Sequence, residues 1–193
     1  METKISYKDY LSQFDKLIRK VDELEVRALS DAVAQAWADR RTVFIIGNGG
    51  SGANASHLCE DLGKGTLRDF DSQKRLRAIS LTDNTPYILA WANDEGFDRI
   101  FVEQLKNLAE PKDLLIAISG SGNSPNVLEA VRWANDHGLT TFGVTGYDGG
   151  KLRGLCRLGL HAPSHNMGLV EAAHAVIFHY LIDELRERFD LRQ

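Results

Sequence analysis

Residues Leu114–Asn126, LLIAISGSGNSPN, constrain this chain more than any other stretch. Leu114–Ile118 form an apolar run compact enough for a buried strand. Ser119, Ser121 and Ser124 then offer hydroxyls, while Gly120 and Gly122 let backbone N–H groups turn towards a ligand. Ser124 and Pro125 read as the N-cap and first residue of a helix. A helix start presents unbonded N–H groups and the positive end of the helix dipole, and both favour an anion. The stretch reads as a phosphate cradle, against the plainer alternative of a capped strand-to-helix turn. A second stretch, Phe44–Asn54 (FIIGNGGSGAN), follows the same plan of strand, small polar loop and helix. Two such loops at the carboxyl ends of parallel strands gather around one crevice. There they can clasp one polar ligand, with its phosphate at one loop and sugar hydroxyls at the other.

The rest of the chain alternates strands with helices, which predicts a parallel sheet covered on both faces. Strands are expected at Thr42–Ile46, Ala78–Leu81, Leu114–Ile118, Thr140–Val144 and Leu158–His161. Ahead of them, Ile5–Arg40 reads as two helices broken near Val21–Leu24, their apolar stripes serving the core or a contact between subunits. A helix follows the loop Gly47–Gly52, and Thr66–Arg77 reads as an exposed, irregular loop. Asn84–Ala92 is a short helix and Phe97–Ala109 a second, amphipathic one. Ser124–His137 is a helix stopped by Gly138, Lys151–Leu155 a short helix, and Leu169–Phe189 a long final one. No linker is long enough to separate one domain from another. Residues 1–193 are read as one domain, a helical oligomerisation extension (1–40) on an α/β core (41–193).

Bulk properties exclude several classes. A net charge of -4 disfavours a nucleic-acid partner. Cys59 and Cys156 have no metal-motif spacing, which suits a reducing cytoplasm. The polar, mixed-charge start METKISYKDYLSQFDK is not a signal peptide, and no apolar run approaches membrane-spanning length. Gly47–Gly52 satisfies G-x-G-x-x-G, yet the acid that a dinucleotide fold wants after the next strand, here Asp83, comes too late. No hydrolase serine elbow is present, and Gly149-Gly150-Lys151 lacks the rest of a Walker motif.

Chemistry can reside on two helices. His57 and Asp61 stand at i and i+4, so a helix puts them on one face, where they can bind a divalent metal or share a proton, or simply form a surface pair. Glu171, His174 and His179 lie on the last helix. Glu171 and His179 are separated by about 12 Å of helix rise, too far to reach one metal easily from a single straight helix. If both serve active sites, a site shared between subunits is expected. His174, His137, His161 and His165 read as packed histidines, and Trp91, Trp133 and Phe178 as core or interface aromatics.

These features together resemble a known family. GNGGS (Gly47–Ser51), His57 with an acid four residues on, Asn93-Asp94, SGSGNSPN (Ser119–Asn126), VTGYDGG (Val144–Gly150) and Glu171…His179 come in the order of sugar isomerase (SIS) domains, and within them of phosphoheptose isomerases. The resemblance implies a three-layer, flavodoxin-like α/β sandwich on a central five-stranded parallel sheet with an N-terminal helical extension. It implies a cytoplasmic homotetramer with active sites between subunits. It implies aldose–ketose isomerisation of sedoheptulose 7-phosphate to D-glycero-D-manno-heptose 7-phosphate through an enediol, in heptose biosynthesis for lipopolysaccharide or capsule precursors. Phosphate would bind at Ser119, Gly120, Ser121 and Ser124. Other substrate contacts are implied at Asn48, Gly49, Gly50, Ser51, Asn93, Asp94 and Glu171. A zinc ion would sit at His57, Asp61, Glu171 and His179, with Asp61 and His179 as acid–base groups. The chain departs from the family where Glu is usual and Asp61 stands, where Gln is usual and Glu171 stands, and where Arg is usual and Gly65 stands. Asn166–Val170 likewise lacks the usual Arg-Ile-Gln before Glu171. A non-catalytic SIS module, binding a phosphosugar or associating with a replication initiator, and an isomerase of a different phosphosugar are the competing readings.

Overall fold

The computed structural model describes residues 6–190, so the expected helix start at Ile5 lies outside the described residues. Ser6 caps α1 (Tyr7–Ile18) by accepting from the Asp9 amide, and Asp22 caps α2 (Glu23–Ala38) by accepting from the Leu24 amide. The break between the two helices falls at the expected place. Five strands follow: β1 (Thr42–Gly47), β2 (Arg77–Ser80), β3 (Leu114–Ser119), β4 (Thr140–Thr145) and β5 (Leu158–His161). All pair in parallel in the order β2-β1-β3-β4-β5. The chain leaves β1 for one edge and returns to its other side as β3, so a topological switch point lies between β1 and β3.

Helices cover both faces: α3 (Gly49–Glu60), α4 (Thr85–Asp94), α5 (Val102–Leu108), α6 (Pro125–Asp136), α7 (Gly150–Leu155) and α8 (Met167–Asp190). The period of two along each strand sorts the core into two halves. Val43, Ile45, Ile116, Ile118 and Val144 meet Leu29 and Val33 of α2, Leu58 of α3, and Ile177 and Leu181 of α8. Phe44, Ile46, Leu115 and Ala117 meet Leu105 of α5, Val127, Val131 and Ala134 of α6, and Leu152 of α7. This is the three-layer sandwich on a five-stranded parallel sheet. A smaller cluster joins Leu17 of α1 to Leu169 and Ala173 of α8.

Three local expectations are corrected. The glycine loop is shorter than Gly47–Gly52, because Asn48 is already the N-cap and α3 starts at Gly49. Small residues allow this: a Cβ on Gly47 would lie 2.5 Å from the Ser51 carbonyl oxygen, inside the helix's first turn. Phe97–Ala109 is not one helix but a 3-10 turn (Phe97–Arg99) followed by α5. Ile100 and Phe101, where the 3-10 turn gives way to α5, are buried together with Val102, Glu103, Gln104 and Leu105 of the helix itself. Thr66–Arg77 is not simply exposed, since Thr66, Leu67, Gln73 and Leu76 are buried. The Gln73 amide organises that loop, accepting from the Arg68 and Asp69 amides and donating to the Thr66 carbonyl. Both cysteines are free, and burial pushes the Cys156 thiol up to about 12. Among the described residues no helix is long and apolar enough to cross a membrane.

Candidate active site

Gly47 pairs with Ile118 and Ser119 with Thr145, so β1, β3 and β4 end at one level and release their loops along one edge. After β3, the Gly122 amide donates to both the carbonyl and the hydroxyl of Ser119, at 3.0 and 3.1 Å. Gly122 has φ +65°, and a Cβ there would lie 2.0 Å from the Gly149 carbonyl oxygen, so only glycine fits. Ser124 is the N-cap of α6 and Pro125 its first residue, as the sequence predicts. The Ser124 hydroxyl makes no capping bond; it stands 3.4 Å from the Ser119 hydroxyl. Two hydroxyls thus meet at a helix N-terminus without being consumed by the helix, which suits an anion. Ser121 is half-buried, and its hydroxyl accepts from the Asn123 amide.

The two loops are physically joined. Asn48 and Asn126 exchange reciprocal amide hydrogen bonds, each 2.9 Å, across the switch point. Asn126 is buried and also accepts from the Val127 amide. Sequence reasoning misses it as a site residue because its partner is 78 positions away; its signal is a polar amide at the buried start of a helix, matched by an Asn in the sister loop. Ser51 is buried in the first turn of α3, beside exposed Gly49 and Gly50. Ser56, Thr82 and Asp83 form a further hydroxyl–carboxylate cluster that no sequence pattern announces. It borders a cavity of about 320 Å³ that is also lined by Asn48, Gly49 and Phe97. Asn93 and Asp94 stand exposed at the end of α4, hydrogen-bonded to each other at 2.8 Å.

The chemical group lies where α3 meets α8. His57 Nε2 and His179 Nδ1 each stand 3.5 Å from the same Asp61 carboxylate oxygen. The two imidazole rings meet edge to face, 4.9 Å between centroids. Ligand atoms of His57, Asp61 and His179 all lie within 4.8 Å of one another, a set that could chelate a metal ion. Asp61 is half-buried and the two histidines exposed, so the group is open to an incoming ligand. At Asp61 the helix changes to a π turn (Asp61–Gly65), a distortion common at functional sites.

Glu171 does not join the three. Its carboxylate lies over the N-terminal turn of α3: a Cβ on Gly50 would lie 2.3 Å from both carboxylate oxygens. The helix dipole favours a negative charge there. Its carbonyl accepts from the Asn54 side chain, tying α8 to α3. Of the four expected metal ligands, three therefore come together in a single chain and the fourth stands apart, in keeping with the rise along α8. A Cβ on Gly65 would lie 2.9 Å from the Ile182 Cγ2, so a side chain there requires Ile182 to shift. Arg186 of α8 donates instead to the Gly65 carbonyl at 2.7 Å.

The remaining histidines pack as expected. His174 is fully buried, its Nε2 in hydrogen-bond contact with the Thr145 carbonyl, and burial pushes its pKa down to about 4. Burial also lowers His161, which bonds the Thr145 hydroxyl. His137 stacks on Trp133, and His165 meets Tyr147 edge to face. Trp91 and Trp133 pack against the second half of the core, and Phe178 lies within the first.

The chain has relatives among known proteins. The model of the SIS domain matches residues 6–146. A phosphoheptose isomerase of Fusobacterium nucleatum is 38% identical over 178 residues, covering 90% of each chain. A probable phosphoheptose isomerase of Thermoplasma acidophilum is 32% identical, covering 94% of this chain and 98% of the relative. The solved phosphoheptose isomerase of Francisella tularensis superposes with a TM-score of 0.86 at 28% identity, covering 97% of this chain and all of that one.

Proposed function

This chain belongs to the SIS-domain family and is a phosphosugar isomerase close to the phosphoheptose isomerases, and from that premise we propose that it converts sedoheptulose 7-phosphate to D-glycero-D-manno-heptose 7-phosphate. The observation that carries this reading is the convergence of His57, Asp61 and His179 at one point of the α3–α8 contact. A module that only held a phosphosugar would have no need for a carboxylate between two imidazoles.

In this reading the phosphate docks on the hydroxyls of Ser119, Ser121 and Ser124, with Gly120 offering backbone and the N-terminus of α6 supplying positive potential. Asn48, Gly49, Gly50 and Ser51 line the sugar, with Asn93, Asp94 and Glu171 contacting its hydroxyls. Isomerisation moves one proton between C1 and C2 through an enediol. Asp61 and His179 carry that proton and the matching exchange at the oxygens, one as base and the other as acid. Each has an atom within reach of the same small volume, so the two can act on adjacent carbons. His57 orients Asp61 from the other side. Two imidazoles and a carboxylate fit zinc, and His57, Asp61 and His179 would hold it. Bound there, zinc would polarise the sugar carbonyl.

The protein is further proposed to be a cytoplasmic homotetramer, in which α1 and α2 form an oligomerisation extension on the 41–193 core and active sites lie between subunits. Supply of heptose for lipopolysaccharide or capsule precursors is the corresponding role. A panel of five-, six- and seven-carbon ketose phosphates, followed by NMR, tests the substrate. Turnover is expected on the seven-carbon sugar, and turnover confined to a shorter sugar would reject the heptose assignment. Metal analysis of the purified protein is expected to return about one zinc per chain, against none for a binding module.

A further inference from the structure

The opposite end of the sheet carries a feature the isomerase reaction does not use. Arg40 and Arg41 end the α2–β1 turn, and Lys74, Arg75 and Arg77 lead into β2. With Trp37 they line a cavity of about 280 Å³ to which no acidic side chain contributes. Among the described residues, none of these five cations makes an ion pair. Five unpaired positive charges around one hollow are unexpected in a chain of net charge -4.

The hollow is built rather than accidental. The Trp37 indole donates to the Lys74 carbonyl at 3.0 Å, pinning the 66–76 loop to α2. Lys74 lies over the Trp37 ring at 4.5 Å and donates to the Ala38 carbonyl. Phe189 stacks on Trp37, 4.3 Å between centroids. Arg40 takes the left-handed conformation after α2, φ +56°, a position that ordinarily goes to glycine. Arg41 Nε is buried without a hydrogen-bond partner. The helix C-terminus favours Arg40 and Arg41, and an edge strand favours a charge at Arg77. Arg75 joins them while its guanidinium donates to the Phe70 carbonyl, and neither effect accounts for the orphaned buried nitrogen of Arg41.

We propose that this cavity is a second anion site, selective for a small ligand bearing two phosphate groups. Forked guanidinium groups match phosphate oxygens in geometry and charge. The concave shape and small volume suit a compact ligand rather than a nucleic-acid backbone. Trp37 is buried between Phe189 and Lys74, so it offers no open face for a base to stack on.

Calorimetric titration of the full-length protein with inorganic pyrophosphate, at about physiological ionic strength so that diffuse attraction is screened, tests this. Saturable binding is expected. It should weaken at least about tenfold in Arg40→Ala/Arg75→Ala, and persist in Ser121→Ala/Ser124→Ala, which disables the other phosphate loop. Inorganic phosphate should bind at least about tenfold more weakly than pyrophosphate. Arg75→Ala alone, at an exposed position, keeps the test valid if the double variant unfolds. Absent binding, equal affinity in the arginine variants, loss in the serine variant instead, or equal affinity for phosphate would each overturn the proposal.

Discussion

His179 is the residue on which the proposed chemistry turns. It sits on the exposed face of α8, 3.5 Å from Asp61, and packs little. His179→Ala should lower kcat by on the order of a hundredfold or more while changing stability by no more than about 0.5 kcal/mol. Steady-state kinetics beside urea unfolding separates the two. Asn126 has the opposite profile. Asn126→Ala removes the reciprocal pair with Asn48 and should cost about 1–3 kcal/mol, as well as loosening both loops and raising KM. His174 contributes to the pH dependence of stability. Its folded pKa, about 4, lies below its ordinary value of 6.5, so the unfolded chain binds more protons between these limits. Its contribution to stability is full above about pH 6.5 and is lost as pH falls towards 4, by about 2 kcal/mol between pH 7 and 5. Urea titrations should show this slope flattened in His174→Gln. At this scale the sequence is legible where partners are near in the chain. His57 and Asp61 announce themselves by their i, i+4 spacing; Asn126 and the Ser56–Thr82–Asp83 cluster depend on long-range pairing that no local pattern records.

The loop between β3 and α6 shows what an element contributes beyond its residues. Its shape is set by the neighbouring β4–α7 loop, against which Gly122 presses. Gly122→Ala meets both the backbone of Gly149 and a positive φ, and should destabilise the protein by about 2–4 kcal/mol with weakened phosphosugar binding. Thermal denaturation with and without the sugar phosphate checks both effects. The five strands are readable because each is an apolar run bounded by turn residues. The long final helix is readable from its span. The start of α3 at Gly49 is not, since three glycines argue against helix until the packing of Glu171 and Ser51 is known. The split of Phe97–Ala109 is hidden for a similar reason: burial of Ile100, Phe101 and Val102 together is decided by the sheet above them.

At the scale of the whole molecule, the strand order brings several loops to one edge and leaves the helical layer of α1, α2 and α8 on the outside. A groove of about 990 Å³ runs along that layer, where Leu24, Val176 and Tyr180 are exposed. Under the proposed tetramer this apolar surface is covered by another copy, so Leu24→Glu should yield smaller species in light scattering. An unchanged tetramer would remove α1–α2 from the interface. The sandwich itself follows from alternating strands and helices, whereas the union of α3 and α8 that builds the His57–Asp61–His179 group depends on how the last helix crosses the first crossover. In the proposed reaction this group moves a proton between C1 and C2. Sedoheptulose 7-phosphate in heavy water, followed by proton and carbon NMR, tests it most directly. The wild type should produce the aldose with deuterium entering at C2, and Asp61→Asn and His179→Ala should slow both by on the order of a hundredfold or more. Undiminished conversion and exchange in both variants would remove Asp61 and His179 from the proton transfer.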